Sequence, residues 1–232
     1  MRTIGLLGGM SWVSTAHYYE LINRQVAAAL GEGHCAQLVL WQSDFAELTA
    51  RQRAGQWDEA GQVLAQGTRA LVAGGAEVLA ICANTMHLVA DAVIDAAGGA
   101  SLVHIVDVVR DACVAVGASR VALLGTQYTM ESPDLFPPRL NQAGIEMLVP
   151  TYDERVAIHR HTYEELTRGV VTDDARVTFG SASARLSDQA ADAVVLASTE
   201  HGMLLADGDL AVPVLDSTLL HVRALVAASL SG

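Results

Sequence analysis

The chain has 232 residues, of which 51% are hydrophobic and 17% are charged, and its formal net charge is −12. This balance predicts one large or two small globular domains, and the acidic excess argues against binding to nucleic acid or to an anionic membrane surface. No apolar stretch is long enough for a membrane span, and all 14 basic residues are arginine, which excludes a Schiff-base lysine for pyridoxal phosphate and the lysine of a Walker A loop.

Short apolar runs alternate with longer amphipathic segments along the chain. The runs are continuous and rich in leucine and β-branched residues, as in parallel strands that are buried on both faces. The alternation predicts an α/β fold with parallel sheets. The predicted strands are Thr3–Leu7, Gln37–Gln42, Val78–Cys82, Leu102–Ile105, Arg120–Leu124, Glu146–Val149, Ala193–Ala197 and Val212–Leu215, and the predicted helices are Ser14–Leu30, Asp58–Ala73, Met86–Ala97, Asp107–Val116, Asp153–Arg168, Asp173–Gln189 and Thr218–Ser229.

The second half of the chain repeats the plan of the first. The segment TIGLLGG at Thr3 matches RVALLGT at Arg120, an offset of 117 residues, and two further pairs of segments match in the same order at offsets of 115 and 109. These matches predict two pseudo-symmetric Rossmann-like domains with parallel sheets. We expect an N-terminal lobe of residues 1–98 and 210–232, to which the last strand and helix return, and a C-terminal lobe of residues 99–209.

Four predicted strand ends contain small, hydroxyl or amide residues. Ligands of open α/β sheets bind beyond the carboxyl ends of the strands, and the N-termini of helices attract anions. The repeat makes Ala83 and Ser198 equivalent, each just past a strand and each expected to open a helix. N-capping explains any one of these turns, but four together favour a small anionic ligand such as a carboxylate. The segments are Gly8–Trp12, Ala83–His87, Gly125–Met130 and Ser198–His201.

The cysteines and histidines do not form a metal-binding pattern. Cys35, Cys82 and Cys113 lie far apart and suggest neither a disulfide framework nor a zinc site, so we expect three buried hydrophobic side chains. His159 and His161 are two positions apart on a predicted helix and do not share a face. No metal is therefore predicted.

Four motifs, the first three of them long, resemble those of the aspartate/glutamate racemase family, in the branch that acts on acidic amino acids without a cofactor. They are GLLGGMSWVST followed by YYELIN, then CANTMH, ALLGTQYTM and a final STE turn, and the resemblance extends from Ile4 to Asp216. It implies two Rossmann-like domains that bind a small acidic amino acid or dicarboxylate between them. It also implies a homodimer, and we expect a soluble, cytoplasmic protein.

The resemblance places the two proton-transfer positions of the family at Ala83 and Ser198. There, two thiols act on opposite faces of the Cα atom, and the closest relatives carry threonine at the first position and cysteine at the second. Ala83 has no titratable group, and a serine hydroxyl is too weak an acid without an adjacent base. Cys82 precedes Ala83 in an extended segment, so its side chain points to the other face. Racemisation by two thiols is therefore not predicted.

Three interpretations of these replacements stay open. The chain is an engineered inactive racemase, a natural protein that binds an acidic metabolite without converting it, or an enzyme of altered chemistry such as an isomerase or decarboxylase. In the third case Ser198 is the catalytic residue, and His201, three positions later, or Glu200 is its helper.

The resemblance also assigns residues to the substrate. Asn84, Thr85 and Thr199 match positions that hold substrate carboxylates, and Arg53, Arg155 and Arg160 are candidate partners of a second carboxylate. Further positions that match the pocket are Met10, Gln52, Thr126, Thr129, Met130 and Glu200, the last of which matches a family glutamate at the second turn.

Overall fold

Two four-stranded parallel sheets form the framework of the protein in the computed structural model, which describes residues 1–231. The chain divides into two compact units. One comprises Met1–His104 together with the segment that begins at His221, and the other comprises Ile105–Leu220. The predicted α/β class with parallel sheets is confirmed.

The elements of the first unit alternate between strands and helices. They are β1 (Ile4–Gly8), α1 (Trp12–Leu30), β2 (Leu38–Gln42), α2 (Phe45–Arg53), α3 (Trp57–Ala73), β3 (Val78–Ile81), a 3₁₀ helix (Thr85–Val89), α4 (Ala90–Ala96) and β4 (Ser101–Leu102).

The remaining elements follow the same alternation. They are α5 (Ile105–Ala115), β5 (Arg120–Gly125), α6 (Gln127–Glu131), α7 (Pro137–Gln142), β6 (Glu146–Leu148), α8 (Tyr152–Glu164), a 3₁₀ helix (Leu166–Arg168), α9 (Asp173–Asp188), β7 (Ala193–Ala197), a 3₁₀ helix (His201–Met203), β8 (Val214–Asp216) and α10 (Ser217–Leu230).

The two sheets have the same strand order. It is β2-β1-β3-β4 in the first and β6-β5-β7-β8 in the second. The register agrees as well, because Ile4 pairs with Val78 in the first sheet while Val121 pairs with Ala193 in the second. The sequence repeat is therefore a repeat of topology and register.

The core of the first unit lies on both faces of its sheet. Leu7, Leu79 and Ile81 pack on one face, and Leu6 and Cys82 belong to the cluster on the other. Because both faces are covered, every residue of β1 and β3 is buried, which explains the uninterrupted apolar runs. Val222, Leu225 and Val226 of α10 join the second cluster.

The last strand does not return to the first sheet, and this prediction was wrong. Strand β8 pairs in parallel with β7, with Val194 opposite Val214. It is thus the fourth strand of the second sheet, as β4 is of the first. The final helix does contribute to the first unit, through the residues that follow His221.

Several local elements also differ from prediction. Helices α2, α6 and α7 were not predicted, because segments of 9, 5 and 6 residues are too short to show a clear helical period. The predicted helix Met86–Ala97 begins as a 3₁₀ helix. Cys35 is exposed in the loop between α1 and β2, which corrects its expected burial.

An ion pair joins α8 to α9 and predicts a loss of stability in acid. Arg185 and the hydroxyl and amide of Thr151 bind the Glu154 carboxylate, and they lower its pKa to about 2. A depressed pKa stabilises the fold above the unfolded value near 4.5, and this contribution is lost as the pH falls towards 2. We expect Glu154→Gln to cost about 1–2 kcal/mol at pH 7 in urea unfolding. The exposed Glu164→Gln on the same helix should cost almost nothing, and equal losses in both variants would contradict this.

Candidate functional site

The turn after β1 is held tightly against the start of α1. The amide of Gly9 donates to Oγ1 of Thr15 at 2.9 Å, and the hydroxyl of Ser11 accepts from the amide of Ser14 at 3.3 Å as the N-cap of α1. Gly9 has φ = +86°, and a Cβ atom there would lie 2.2 Å from the carbonyl oxygen of Ser43. The diglycine therefore permits a close approach of two backbone segments.

The turn after β3 lies beside the turn after β1, because the two strands are neighbours in the sheet. The amide of Cys82 donates to the carbonyl of Leu7 at 2.9 Å. Ala83, Asn84 and Thr85 follow and are all buried. This turn therefore contains Ala83, the first predicted proton-transfer position, and two predicted carboxylate-binding residues.

Two further side chains hold this turn. His87 approaches the carbonyl oxygen of Ala83 with Nδ1 at 2.8 Å, so Nδ1 is the protonated nitrogen. The side-chain amide of Gln52, on α2, donates to Sδ of Met86 at 3.0 Å. The structure therefore brings Gln52 to the NTMH motif, through a helix that the sequence did not predict.

The buried thiols of Cys82 and Cys113 do not occupy the predicted proton-transfer positions. Cys82 packs in the core cluster with Leu6, whereas Ala83 packs in the cluster with Leu7 on the other face. This confirms that neighbouring side chains diverge at this strand end. Burial raises the pKa of the Cys82 thiol far above its ordinary value, and it raises the pKa of Cys113 to about 12. Neither thiol supplies a thiolate.

The second sheet presents an equivalent pair of turns. Gly125 of β5 pairs with Ala197 of β7, so Thr126 and Ser198 begin neighbouring turns. The hydroxyl of Thr126 accepts from the amide of Thr129 at 3.2 Å and caps the five-residue α6. Thr126, Thr129 and Met130 are buried.

The buried side chain of Glu200 organises the turn after β7. The hydroxyl of Ser198 donates to Oε2 of Glu200 at 3.0 Å, and the hydroxyl of Thr199 donates to the same oxygen at 2.9 Å. All three side chains are buried. The helix expected to open at Ser198 is a 3₁₀ helix of three residues that begins at His201.

His201 lies apart from the Ser198 hydroxyl in this hydrogen-bond network. Its Nε2 atom is 2.9 Å from Oγ1 of Thr162, whose own proton goes to the carbonyl of Ile158 at 2.7 Å, so Nε2 is the donor. The ring packs edge-on against Phe179, with the centroids 4.6 Å apart. Complete burial lowers the His201 pKa to about 3 and keeps the ring neutral. The residue that contacts Ser198 is Glu200.

His159 lies next to the turn after β5, a position that was not predicted from the sequence. His159 of α8 accepts a hydrogen bond from the amide of Gln127 through Nδ1 at 3.2 Å, and its ring contacts those of Tyr128 and Tyr163. The spacing of His159 and His161 in the sequence argues against a shared metal ion, but it does not predict this contact with the turn. The signal that could have found it is the place of His159 on a helix that packs over the end of a strand.

The three arginines that were candidate partners of a second substrate carboxylate are exposed or form ion pairs with the protein's own acidic residues. Arg155 binds Glu131 at 2.9 Å, Arg160 lies near Glu165 and Asp174, and Arg53 is exposed. Arg155 and Arg160 are thus committed to ion pairs at the surface of α8.

Neither a metal cluster nor a membrane-spanning helix is found in the described part of the chain. Within residues 1–231, no group of three or more histidine, cysteine or acidic side chains is arranged to hold a metal ion. Over the same residues, no helix is both long enough and apolar enough to span a membrane.

Comparison with known proteins relates the whole chain to racemases. Residues 7–225 match the family model for Asp/Glu/hydantoin racemases. A candidate Asp/Glu racemase from Yersinia pestis is 37% identical with a TM-score of 0.89, over 99% of this chain and 100% of the other. An aspartate racemase homologue from Pyrococcus horikoshii OT3 is 29% identical with a TM-score of 0.84, over 99% of both chains. The aspartate racemase of Picrophilus torridus, at 21% identity and a TM-score of 0.78, covers 100% of this chain and 94% of its own, and shares the fold.

Proposed function

Because the chain belongs to the Asp/Glu/hydantoin racemase family, we propose that it binds a small acidic amino acid at its strand-end turns. The observation that supports this most directly is that both sheets end in paired turns of buried hydroxyl and amide side chains. Such groups recognise small polar ligands from strand ends. The absence of lysine from the sequence agrees with a function that does not use pyridoxal phosphate.

The proposal includes the loss of racemisation by two thiols. Ala83 cannot accept or donate a proton, and Cys82 lies on the opposite face of the strand. Ser198 offers a hydroxyl whose proton is directed at Glu200. A two-base reaction needs a titratable group on each face of the Cα atom, and the first position has none. We therefore expect the protein to bind the amino acid without racemising it.

A second candidate function is proton transfer on one face only, as in a related isomerase or decarboxylase. The 3.0 Å hydrogen bond from Ser198 to Glu200 favours it, because a carboxylate can accept the serine proton as the hydroxyl oxygen takes a proton from carbon. In this reaction Glu200 assists Ser198, a role that the sequence left open between Glu200 and His201. The homodimer and the cytoplasmic location stay predictions from the sequence.

The decisive experiment is proton NMR of L- and D-aspartate and of L- and D-glutamate with the protein in D₂O. We expect saturation transfer from the protein to a bound ligand, with no loss of the Cα proton signal. The Ala83→Cys/Ser198→Cys variant should exchange that proton, because it places a thiol that can act as acid and base at each of the two predicted proton-transfer positions. Ala83→Ser is the matched control, since it adds a polar group of similar size without a thiol.

Three results would change the proposal. Exchange with the unmodified chain would replace it by proton transfer through Ser198 and Glu200. Binding by the unmodified chain without exchange in the double variant would show that the turns are not arranged for racemisation. The absence of both binding and exchange would exclude acidic amino acids as ligands.

A further inference from the structure

We propose that the turn formed by Ser198, Thr199 and Glu200 recognises the ammonium group of the ligand, so that the protein selects amino acids over simple dicarboxylates. This inference rests on the proposed function, and it assigns a specific chemistry to one of the two strand-end turns of the second sheet. It also gives Glu200 a role toward the ligand instead of one confined to its own turn.

Both hydroxyl groups of this turn direct their protons at the same glutamate oxygen. Ser198 and Thr199 both donate to Oε2 of Glu200, at 3.0 and 2.9 Å. Each hydroxyl has a single proton, so each oxygen presents only lone pairs to anything else in the turn. Lone pairs accept from N–H donors and repel carboxylate oxygens. While bound to Glu200, the two hydroxyls therefore fit an ammonium group and not a carboxylate.

Charged residue types are almost absent from the four strand-end segments. Glu200 is the only aspartate, glutamate, arginine or lysine in the four strand-end segments Gly8–Trp12, Ala83–His87, Gly125–Met130 and Ser198–His201. Glu200 is also buried, so water screens the electrostatic interactions of its carboxyl group only weakly. A ligand with an ammonium group gains a charge-assisted hydrogen bond there, whereas a dianion without one meets a like charge.

This assignment modifies what the family resemblance implied for Thr199. That residue was expected to hold a substrate carboxylate through its side chain or its amide. Its hydroxyl proton is directed at Glu200, which leaves only the amide for that role. For Asn84 and Thr85, in the turn after β3, the binding of a carboxylate stays a prediction from the family resemblance.

The test compares aspartate with succinate, which differs from it only by the missing ammonium group. Isothermal titration at pH 7 should show aspartate binding at least about 10-fold more tightly than succinate, the effect of one charge-assisted hydrogen bond. Glu200→Gln keeps an oxygen that can accept from both hydroxyls but removes the charge, so the preference should fall to within about 2-fold. Glu146→Gln is the matched control, because it removes an exposed carboxylate that pairs with Arg120, and it should leave the preference unchanged.

Each outcome bears on a different part of the argument. Equal binding of aspartate and succinate by the unmodified protein, or an unchanged preference in Glu200→Gln, would overturn the ammonium assignment and leave the proposed function intact. Failure of the unmodified protein to bind either compound would overturn both. If circular dichroism shows that Glu200→Gln is unfolded, Ser198→Ala/Thr199→Val tests the same ratio. That variant removes two of the oxygens that would accept from the ammonium group but keeps the Glu200 carboxyl group. The preference for aspartate should therefore fall without vanishing, and an unchanged preference would overturn the assignment.

Discussion

Replacement of His201 by leucine should make the protein less sensitive to acid. His201 is fully buried and neutral in the fold, with its pKa lowered to about 3 from the ordinary 6.5. The unfolded chain therefore binds more protons than the folded one below pH 6.5, and stability falls as the pH falls through this window. At pH 4.5 this single group costs the unmodified protein about 2–3 kcal/mol relative to pH 7.5.

The fold should accept leucine at this position. The hydroxyl of Thr162 keeps its hydrogen bond to the carbonyl of Ile158, so removal of the imidazole leaves no buried donor without an acceptor there. One face of the space that the imidazole occupies is lined by the ring of Phe179, which can pack against leucine. We expect the free energies of unfolding at pH 7.5 to agree within about 1 kcal/mol.

A second buried histidine limits the size of this effect. Burial lowers the pKa of His221 to about 4, and its ring is held by the hydroxyl of Tyr18 and the carbonyl of Val103, both at 2.8 Å. His201→Leu should thus reduce the loss of stability between pH 7.5 and 4.5 without abolishing it. Urea unfolding at both pH values measures this, with the exposed His17→Leu as control. An equal loss in the unmodified protein and in His201→Leu would contradict the argument.

Replacement of Gly9 by alanine should be far more damaging than the same change at a glycine with open surroundings. The residue has φ = +86°, and the added methyl group would lie 2.2 Å from the carbonyl oxygen of Ser43 and 2.8 Å from its amide nitrogen. Both atoms are backbone, so no side-chain rotation relieves the clash. We expect a loss of about 3–4 kcal/mol in unfolding free energy, from backbone strain and steric overlap together.

Gly75 separates these two contributions. It has a similar backbone angle, φ = +91°, but an added methyl group would meet no atom within 4 Å. Gly75→Ala should therefore cost only the conformational penalty of about 1–2 kcal/mol. Urea unfolding of the two variants gives the clash energy as their difference. If both variants lose the same stability, close contact at the β1 turn is not what requires glycine at position 9.

The strands and their repeat could be predicted from the sequence because they depend on local composition. All eight predicted strands are present, since apolar runs such as those of β1 and β7 are buried over their whole length. The equivalence of Ala83 and Ser198 followed from the same repeat and agrees with the shared strand order. Short helices such as α6 were missed because a few residues do not define a helical period.

The site could be predicted only as a set of residues, and not as a set of contacts. The strand-end positions of its residues follow from topology, and the family resemblance predicts Ala83 and Ser198 as the two proton-transfer positions. The sequence does not decide whether Glu200 or His201 binds Ser198, because the two residues are adjacent. The turn after β7 directs Glu200 toward the hydroxyl, while His201 points to Thr162.

The sequence by itself thus determined the fold class and the internal repeat, and it shows that the two predicted proton-transfer positions, Ala83 and Ser198, carry no thiol. Each of these depends on residue identity or on short-range pattern, which folding does not alter. Only the tertiary structure decided that β8 joins the second sheet, that Gln52 reaches Met86 and that Glu200 accepts both hydroxyl protons of its turn. These contacts depend on backbone direction at turns and on partners far apart in the chain, because hydrogen bonds form only within a narrow range of distance and angle.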